Sequence, residues 1–244
     1  MQTQNKGERV KKSTRVLLKI SGEAFSNGEA SLCSSRFNAV VDELFEGVAA
    51  GVEIGIVVGG GNFLRGASIE SALLHRVTAD QMGILATVLN GLALRDAIEA
   101  RGGQVELMSA LPIEGVVDAF DYRLARAALA QKKIVIFAGG TGNPFVTTDS
   151  AASLRAIEIG ASVLLKATKV EGVYDKDPNQ FADAKLFEHL SFAEVLQKEL
   201  AVMDLAAFCQ CRDYNVAIQV FNLFKPGALA RVLLGHQEGT LVYN

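Results

Sequence analysis

Cysteine and histidine are scarce in this chain of 244 residues, with three of each, and none has the spacing that would gather ligands around a metal. Cys209-Gln210-Cys211 is too tight for a zinc pair and lies in an apolar helical pattern, Met203 to Cys211, where core packing accounts for it. Cys33, His75, His189 and His236 are scattered. Chemistry built on a thiolate, an imidazole or a protein-bound metal therefore has little support. No apolar run approaches the roughly 18 residues of a membrane span. The first fourteen residues are polar and basic and lack the apolar centre of a signal peptide. They read as a flexible tail, 1–14, on a cytoplasmic domain spanning 15–244. Excess positive charge is missing too. With 24 Lys and Arg against 27 Asp and Glu the net charge is −3, which argues against a nucleic-acid partner held by bulk electrostatics. An anionic ligand would need local positive contacts. Neither Gly-x4-Gly-Lys-Ser/Thr nor Gly-x-Gly-x-x-Gly occurs, so both common nucleotide-loop fingerprints are excluded.

What the chain does carry is two glycine-rich loops, each straight after a buried-strand pattern. Val52 to Val58 runs into Gly59-Gly60-Gly61-Asn62, and Ile134 to Ala138 runs into Gly139-Gly140-Thr141-Gly142-Asn143-Pro144. Val and Ile without alternation mark strands covered on both faces, as in parallel sheets. Glycine at a strand's carboxyl end leaves backbone N–H groups open to a ligand with no Cβ in the way. Two such loops at one sheet edge point to phosphate held from two sides.

Periodicity fills in the rest. Strands are expected at Val16–Ile20, Gln104–Met108, Ala161–Lys166, Ala217–Phe221 and Leu241–Tyr243. Helices are expected at Phe37–Ala50, Thr78–Glu99, Tyr122–Ala130, Thr148–Gly160, Phe192–Leu200, Leu205–Arg212 and Ala228–Leu234. In the long helix the apolar stripe reads Met82, Leu85, Ala86, Leu89, Leu92, Ala93 and Ala97. Asp175 to Lys185, with Pro178, reads as an exposed loop. Strands alternating with helices give a three-layer α/β/α sandwich around a mainly parallel sheet.

In such a fold ligands sit beyond the carboxyl ends of the strands. Two strands end there in lysine, Val16-Leu17-Leu18-Lys19 and Val163-Leu164-Leu165-Lys166, each followed by a small hydroxyl-bearing turn. A lysine at the end of an apolar strand either escapes to solvent or meets an anion. Two of them facing two glycine loops suit the charge of a phosphoryl group in transfer. Thr147-Thr148-Asp149 opens a helix. One of the three caps it, and Asp149 has a second possible role in pairing with the lysines. Arg65 stands at the rim of the first loop, and Asp80 near the start of the long helix, where it also suits the helix dipole.

Taken in order, these segments resemble the amino acid kinase family, and within it the bacterial branch acting on UMP. The resemblance runs from about Arg15 to Val242 and rests on six stretches: Leu17 to Ala24, Gly59 to Gly66, Asp80 to Thr87, Gly140 to Phe145, Lys166 to Tyr174 and Val202 to Ala207. It implies phosphorylation of UMP to UDP by ATP, with Mg²⁺ carried on the ATP, in a cytoplasmic homohexamer built as a trimer of dimers. It implies an ATP side of Lys19, Ile20, Ser21, Gly22, Gly61, Arg65, Thr168, Tyr174 and Asp177. The UMP side would be Gly60, Asp80 as ribose partner, and Thr141, Gly142, Asn143, Pro144, Phe145, Val146, Thr147 and Thr148, with Lys19, Lys166 and Asp149 catalytic. A relative phosphorylating a carboxylate or carbamate, and a non-catalytic nucleotide binder, are the rival readings. The segment Phe25 to Cys33 lacks the Gly-Phe-Gly insert usual in the family, so the resemblance does not carry GTP activation onto this chain.

Overall fold

The computed structural model describes residues 15–63 and 74–244; the tail 1–14 and Arg65 lie outside the described residues. Eleven short strands and seven α-helices follow one another as β1 (Arg15–Ile20), α1 (Ser34–Ala49), β2 (Glu53–Val58), α2 (Arg76–Glu99), β3 (Val105–Ser109), β4 (Asp118–Ala119), α3 (Tyr122–Ala130), β5 (Ile134–Ala138), α4 (Thr148–Ile159), β6 (Val163–Thr168), β7 (Val173–Tyr174), β8 (Leu186–Phe187), β9 (His189–Ser191), α5 (Phe192–Gln197), α6 (Leu205–Asp213), β10 (Ala217–Asn222), α7 (Ala228–Leu233) and β11 (Thr240–Tyr243). A 3₁₀ turn, Gly22–Phe25, follows β1. Nine strands form one sheet in the order β4-β3-β5-β2-β1-β6-β10-β11-β9, and β7 and β8 make a separate hairpin. Every pairing in the large sheet is parallel except β10 with β11.

Alternation along the strands sorts side chains between two cores. From β1, Val16, Leu18 and Ile20 pack with α1, α2 and α7, while Leu17 packs with α3, α4, α5 and α6 on the other face. β6 repeats the arrangement, with Val163, Leu165 and Ala167 on the first face and Leu164 on the second. Helices therefore cover both faces, and the three-layer, mainly parallel architecture expected from the sequence is the one observed.

Two expectations need correction, both on α2. By length and mean hydropathy this helix is apolar enough to cross a membrane, although no unbroken apolar run announces it. It packs instead against β3 and β5. The buried face also differs in part from the one periodicity gave. Ala86 is buried and Leu92, Ala93 and Ala97 pack against the core as expected, and Ile84, Thr87, Val88, Gly91, Leu94 and Ile98 face inward with them, whereas Leu85 and Leu89 are 48% and 49% exposed. Counting apolar residues favoured the leucines, but polar Thr87 and Asn90 occupy the inner face because they have backbone partners there. Strands β4, β7, β8 and β9 escaped notice because two or three residues are too few to show a period. β7 and β8 clasp the base of the exposed loop, where Asp175 N donates to Lys185 O at 3.1 Å.

Candidate active site

β1 and β6 are neighbours in the sheet, and the chain leaves β1 for α1 on one face and β6 for α5 and α6 on the other, so the connections diverge at their carboxyl ends. That is where an open α/β sheet leaves a crevice. Lys19 and Lys166 are register partners on these adjacent parallel strands. Lys19 shares its face with Leu17, and Lys166 with Leu164, so both ammonium groups project towards α4. There they meet one carboxylate. Lys19 Nζ lies 3.0 Å from Asp149 Oδ1, and Lys166 Nζ donates to Asp149 Oδ2 at 2.7 Å. Lys166 also donates to Val202 O at 2.6 Å, and Lys19 to Ser21 Oγ at 3.3 Å.

Capping of α4 falls to Thr147, whose hydroxyl accepts the Ser150 N–H at 3.2 Å. Asp149, two residues on, is thereby left to the lysines. Burial opposes its ionisation, but the two cations overcome that and hold its carboxyl below the usual value. Burial depresses Lys166; Asp149 offsets this in part, and the neighbouring Lys19 charge adds to the depression. Two cations share one carboxylate in direct contact, and Asp204 adds a second negative charge that acts on Lys166 from further away. The two ammonium groups so held side by side can meet the charge of a further anion.

The glycine loops follow β2 and β5, the next two strands of the sheet on the β1 side of this cluster. β2 runs into Gly59, whose N–H donates to Ile20 O at 2.8 Å and so ties the first loop to the end of β1. Gly22 fits against that loop only because it lacks a side chain: a Cβ there would stand 2.4 Å from Asn62 Oδ1 and 2.7 Å from Gly61 N. The second loop turns on Gly139, Gly140 and Gly142, all with positive φ, and Gly142 N closes it by donating to Gly139 O at 2.8 Å. Buried Arg155 of α4 supports it from beneath, stacking 3.8 Å over the Phe120 ring and donating to Gly140 O at 3.4 Å.

A cavity of about 320 Å³ opens between the loops and the start of α2. It gathers Gly60, Asp80, Thr141, Asn143, Val146, Thr147 and Thr148 of the expected UMP side, together with Gly61, expected on the ATP side. Asp80 bridges α2 to the second loop, its Oδ2 accepting the Phe145 N–H at 2.9 Å while Oδ1 takes Arg76 Nε at 2.8 Å. Those partners, the Phe145 N–H first, hold the Asp80 carboxyl below its usual value. Phe145 has φ +65° and is 67% exposed, and that φ is rare for a bulky residue. Gly142, Pro144 and Phe145 shape the loop without bordering the cavity.

A second cavity of about 320 Å³ joins Ser21, Lys166 and Thr168 to Glu23, Lys169 and Phe224. Of the expected ATP side it unites Ser21 and Thr168 with Lys166. The Thr168 hydroxyl is engaged with Val170 O at 2.7 Å and Phe221 O at 3.1 Å. Tyr174 and Asp177 stand apart. Tyr174 is half-buried on β7, and Asp177 is exposed, organising its own loop through Asn179 N at 2.9 Å and Gln180 Nε2 at 3.0 Å. The Phe25 to Cys33 segment borders a third cavity, of about 510 Å³, through Ser26, Asn27 and Gly28.

Sequence reasoning missed several supports. Asp204 caps α6 through Ala207 N at 2.9 Å and receives the hydroxyls of Thr147 and Ser150. Its position before a helix was legible, but its reach to α4 was not. Thr87, Asn90 and Arg155 are buried polar residues on helices. Their only signal was an asparagine in a helix interior, where its propensity is poor.

The profile of the amino acid kinase family matches residues 14–222. The chain is 56% identical over 229 residues to the uridylate kinase of Coxiella burnetii, covering 93% of this chain and 94% of that protein. Its structure is similar to UMP kinase from Bacillus anthracis, with a TM-score of 0.91 and 38% identity over 95% of this chain and 96% of that one. UMP kinase from Ureaplasma parvum gives a TM-score of 0.90 at 33% identity, over 95% and 99%. With that profile matched over most of its length and relatives at this identity, the chain belongs to the amino acid kinase family.

Proposed function

We infer that this chain transfers the γ-phosphoryl group of ATP to UMP, giving UDP and ADP. The observation that carries the reading is the meeting of Lys19, Lys166 and Asp149 at the carboxyl ends of β1 and β6, beside the strands β2 and β5 that lead into the glycine loops, in a chain whose curated relatives are uridylate kinases. UMP occupies the cavity bordered by Gly60, Asp80 and Thr141 to Thr148, and ATP approaches over Ser21, Gly22 and Thr168. A phosphate oxygen of UMP forms the new bond to the γ-phosphorus. The bond from that phosphorus to the β–γ bridging oxygen breaks, and ADP leaves with the electron pair. UMP phosphate is anionic at neutral pH, so no proton has to be removed and no general base is required. The demand is electrostatic: two polyanions must be brought together and the charge on the moving group offset. Lys19 and Lys166 supply that charge, and Asp149 holds them side by side at the end of the sheet.

Among the described residues no cluster of three or more His, Cys, Asp or Glu is placed to hold a metal ion, and the carboxylate nearest the transfer site, Asp149, is engaged by both lysines. This donor set fits a Mg²⁺ whose ligands are phosphate oxygens and water, as magnesium commonly binds with nucleotides. Bound with ATP, the ion would neutralise charge on the β- and γ-phosphates. We propose further that the chain works in the cytoplasm, where ATP is abundant, and assembles as a homohexamer. The half-exposed Leu85 and Leu89, one turn apart on α2, suit contact with another copy.

A coupled assay for ADP release, with UMP, aspartate, acetylglutamate and carbamate as separate acceptors, tests the activity. UMP alone should support turnover. Turnover with a carboxylate or carbamate and none with UMP would overturn the reading.

A further inference from the structure

One turn of α2 touches both glycine loops through buried polar side chains. Asn90 is fully buried. Its Nδ2 donates to Gly59 O at 2.6 Å and to Asn62 Oδ1 at 2.7 Å, and its Oδ1 accepts from Asn62 Nδ2 at 2.9 Å. Three residues earlier on the same face, the Thr87 hydroxyl donates to Ile84 O at 2.6 Å and accepts the Gly139 N–H at 2.7 Å. Asn90 thus grips the first loop, and Thr87 the second.

Each grip fixes a peptide plane. In a trans peptide the C=O and the following N–H point in opposite directions. With Gly59 O drawn down to Asn90, the Gly60 N–H is turned away from the buried amide. The Ala138–Gly139 peptide is held at both ends, because Ala138 O accepts the Ala110 N–H at 3.1 Å while Gly139 N–H reaches Thr87. Asn62 carries the link further, since its Oδ1 is the atom against which Gly22 packs. Three segments assigned to phosphate handling are thereby referred to a single helical turn. A helix interior with no task beyond packing would place apolar groups here, since burying an amide or hydroxyl costs about 1–3 kcal/mol unless it is hydrogen-bonded.

Resting on the UMP-kinase reading, we propose that Thr87 and Asn90 are positioning residues that set the two glycine loops at the spacing phosphoryl transfer requires. Their contribution falls on kcat, because a misplaced loop still binds nucleotide but no longer aligns it for in-line attack.

Steady-state kinetics of the full chain with Thr87→Val and Thr87→Ser tests this. Valine keeps the shape and leaves the Gly139 N–H unpaired; serine restores the acceptor. Thr87→Val should lower kcat at least tenfold with KM for ATP and UMP changed less than threefold, and Thr87→Ser should stay within threefold of the unaltered kcat. Asn90→Leu, if it folds, should show the same kcat loss; if it does not, the Thr87 pair decides. The inference is overturned if Thr87→Val keeps kcat within threefold, if its defect is confined to KM or thermal stability, or if serine fails to rescue. Failure of the UMP reading would show separately, as no UMP-dependent ADP release by the unaltered chain.

Discussion

Replacing Asp149 by asparagine removes the carboxylate that touches both lysines, and its cost follows from the geometry. Asp149 lies 3.0 Å from Lys19 and 2.7 Å from Lys166. At an effective dielectric of about 20 each attraction is about 5–6 kcal/mol before desolvation is counted. Asparagine also relieves the burial of a carboxylate, so the net loss is far smaller than the sum. Breaking a buried pair from one side costs about 3–5 kcal/mol. All three side chains keep a little exposure, 11% to 14%, which places this case near the lower end, about 3 kcal/mol. The ammonium groups are then left at most roughly 8 Å apart, with a repulsion of at least about 2 kcal/mol included in that loss. For a chain of this size about 3 kcal/mol lowers Tm by about 6–12 °C. The assay is thermal melting of nucleotide-free protein followed by circular dichroism, with and without pyrophosphate. Because the variant's lysines lack their counterion, pyrophosphate should raise its Tm more than that of the unaltered chain. The pH dependence has a definite sign. Asp149 is held below its ordinary value of 3.8, so its stabilisation is complete above that pH and is lost as pH falls through the lower, folded value. The Tm gap should stay constant from neutrality to mild acid and close only in strong acid. A variant melting within 2 °C of the unaltered chain at pH 7, or equal gains from pyrophosphate, would refute the reasoning.

Asp80→Asn keeps the shape but loses the charge facing Arg76; KM for UMP should rise about tenfold, in line with one charge-assisted contact, with kcat within threefold, and a collapse of kcat at unchanged KM would contradict the assignment. At Gly60→Ala the new Cβ would stand 2.6 Å from Gly83 O and 2.8 Å from Ala86 Cβ. The clash costs about 1–3 kcal/mol, and because Gly60 itself borders the cavity, calorimetric titration with UMP should show at least tenfold weaker binding; unchanged binding would remove Gly60 from the UMP site. Chelation of Mg²⁺ by EDTA should abolish ADP release, with full recovery on adding the ion back, and persistent turnover in EDTA would show that the reaction does not need it.

Much of the architecture was legible because the strands β1, β2, β5 and β6 are apolar on both faces, a pattern only a covered parallel sheet explains. The lysine pair was legible for the same reason, since a charge closing such a strand can point only to solvent or to a site. Which face each lysine took needed the register of β1 on β6. The role of Asp149 was not separable from capping until Thr147 was seen to cap α4. The inward face of α2 was misread because a tally of apolar residues cannot know that Thr87 and Asn90 find their partners in loops 52 and 31 residues away. Phe145 shows the same limit: its N–H meets Asp80 across 65 residues, and nothing local marks it. Pairings of this kind are made by the fold and have no period in the sequence.

The central claim is that Lys19 and Lys166 act together on one moving phosphoryl group. Its most direct test is kcat at saturating ATP and UMP for Lys19→Met, Lys166→Met and the double variant, each checked for folding by circular dichroism. Each single variant should lose on the order of a hundredfold, the scale of a lost electrostatic contact in a transition state. The double variant should lose far less than the product of the two, as residues acting as a unit do. A folded single variant retaining kcat within threefold, or losses that multiply in full, would contradict it.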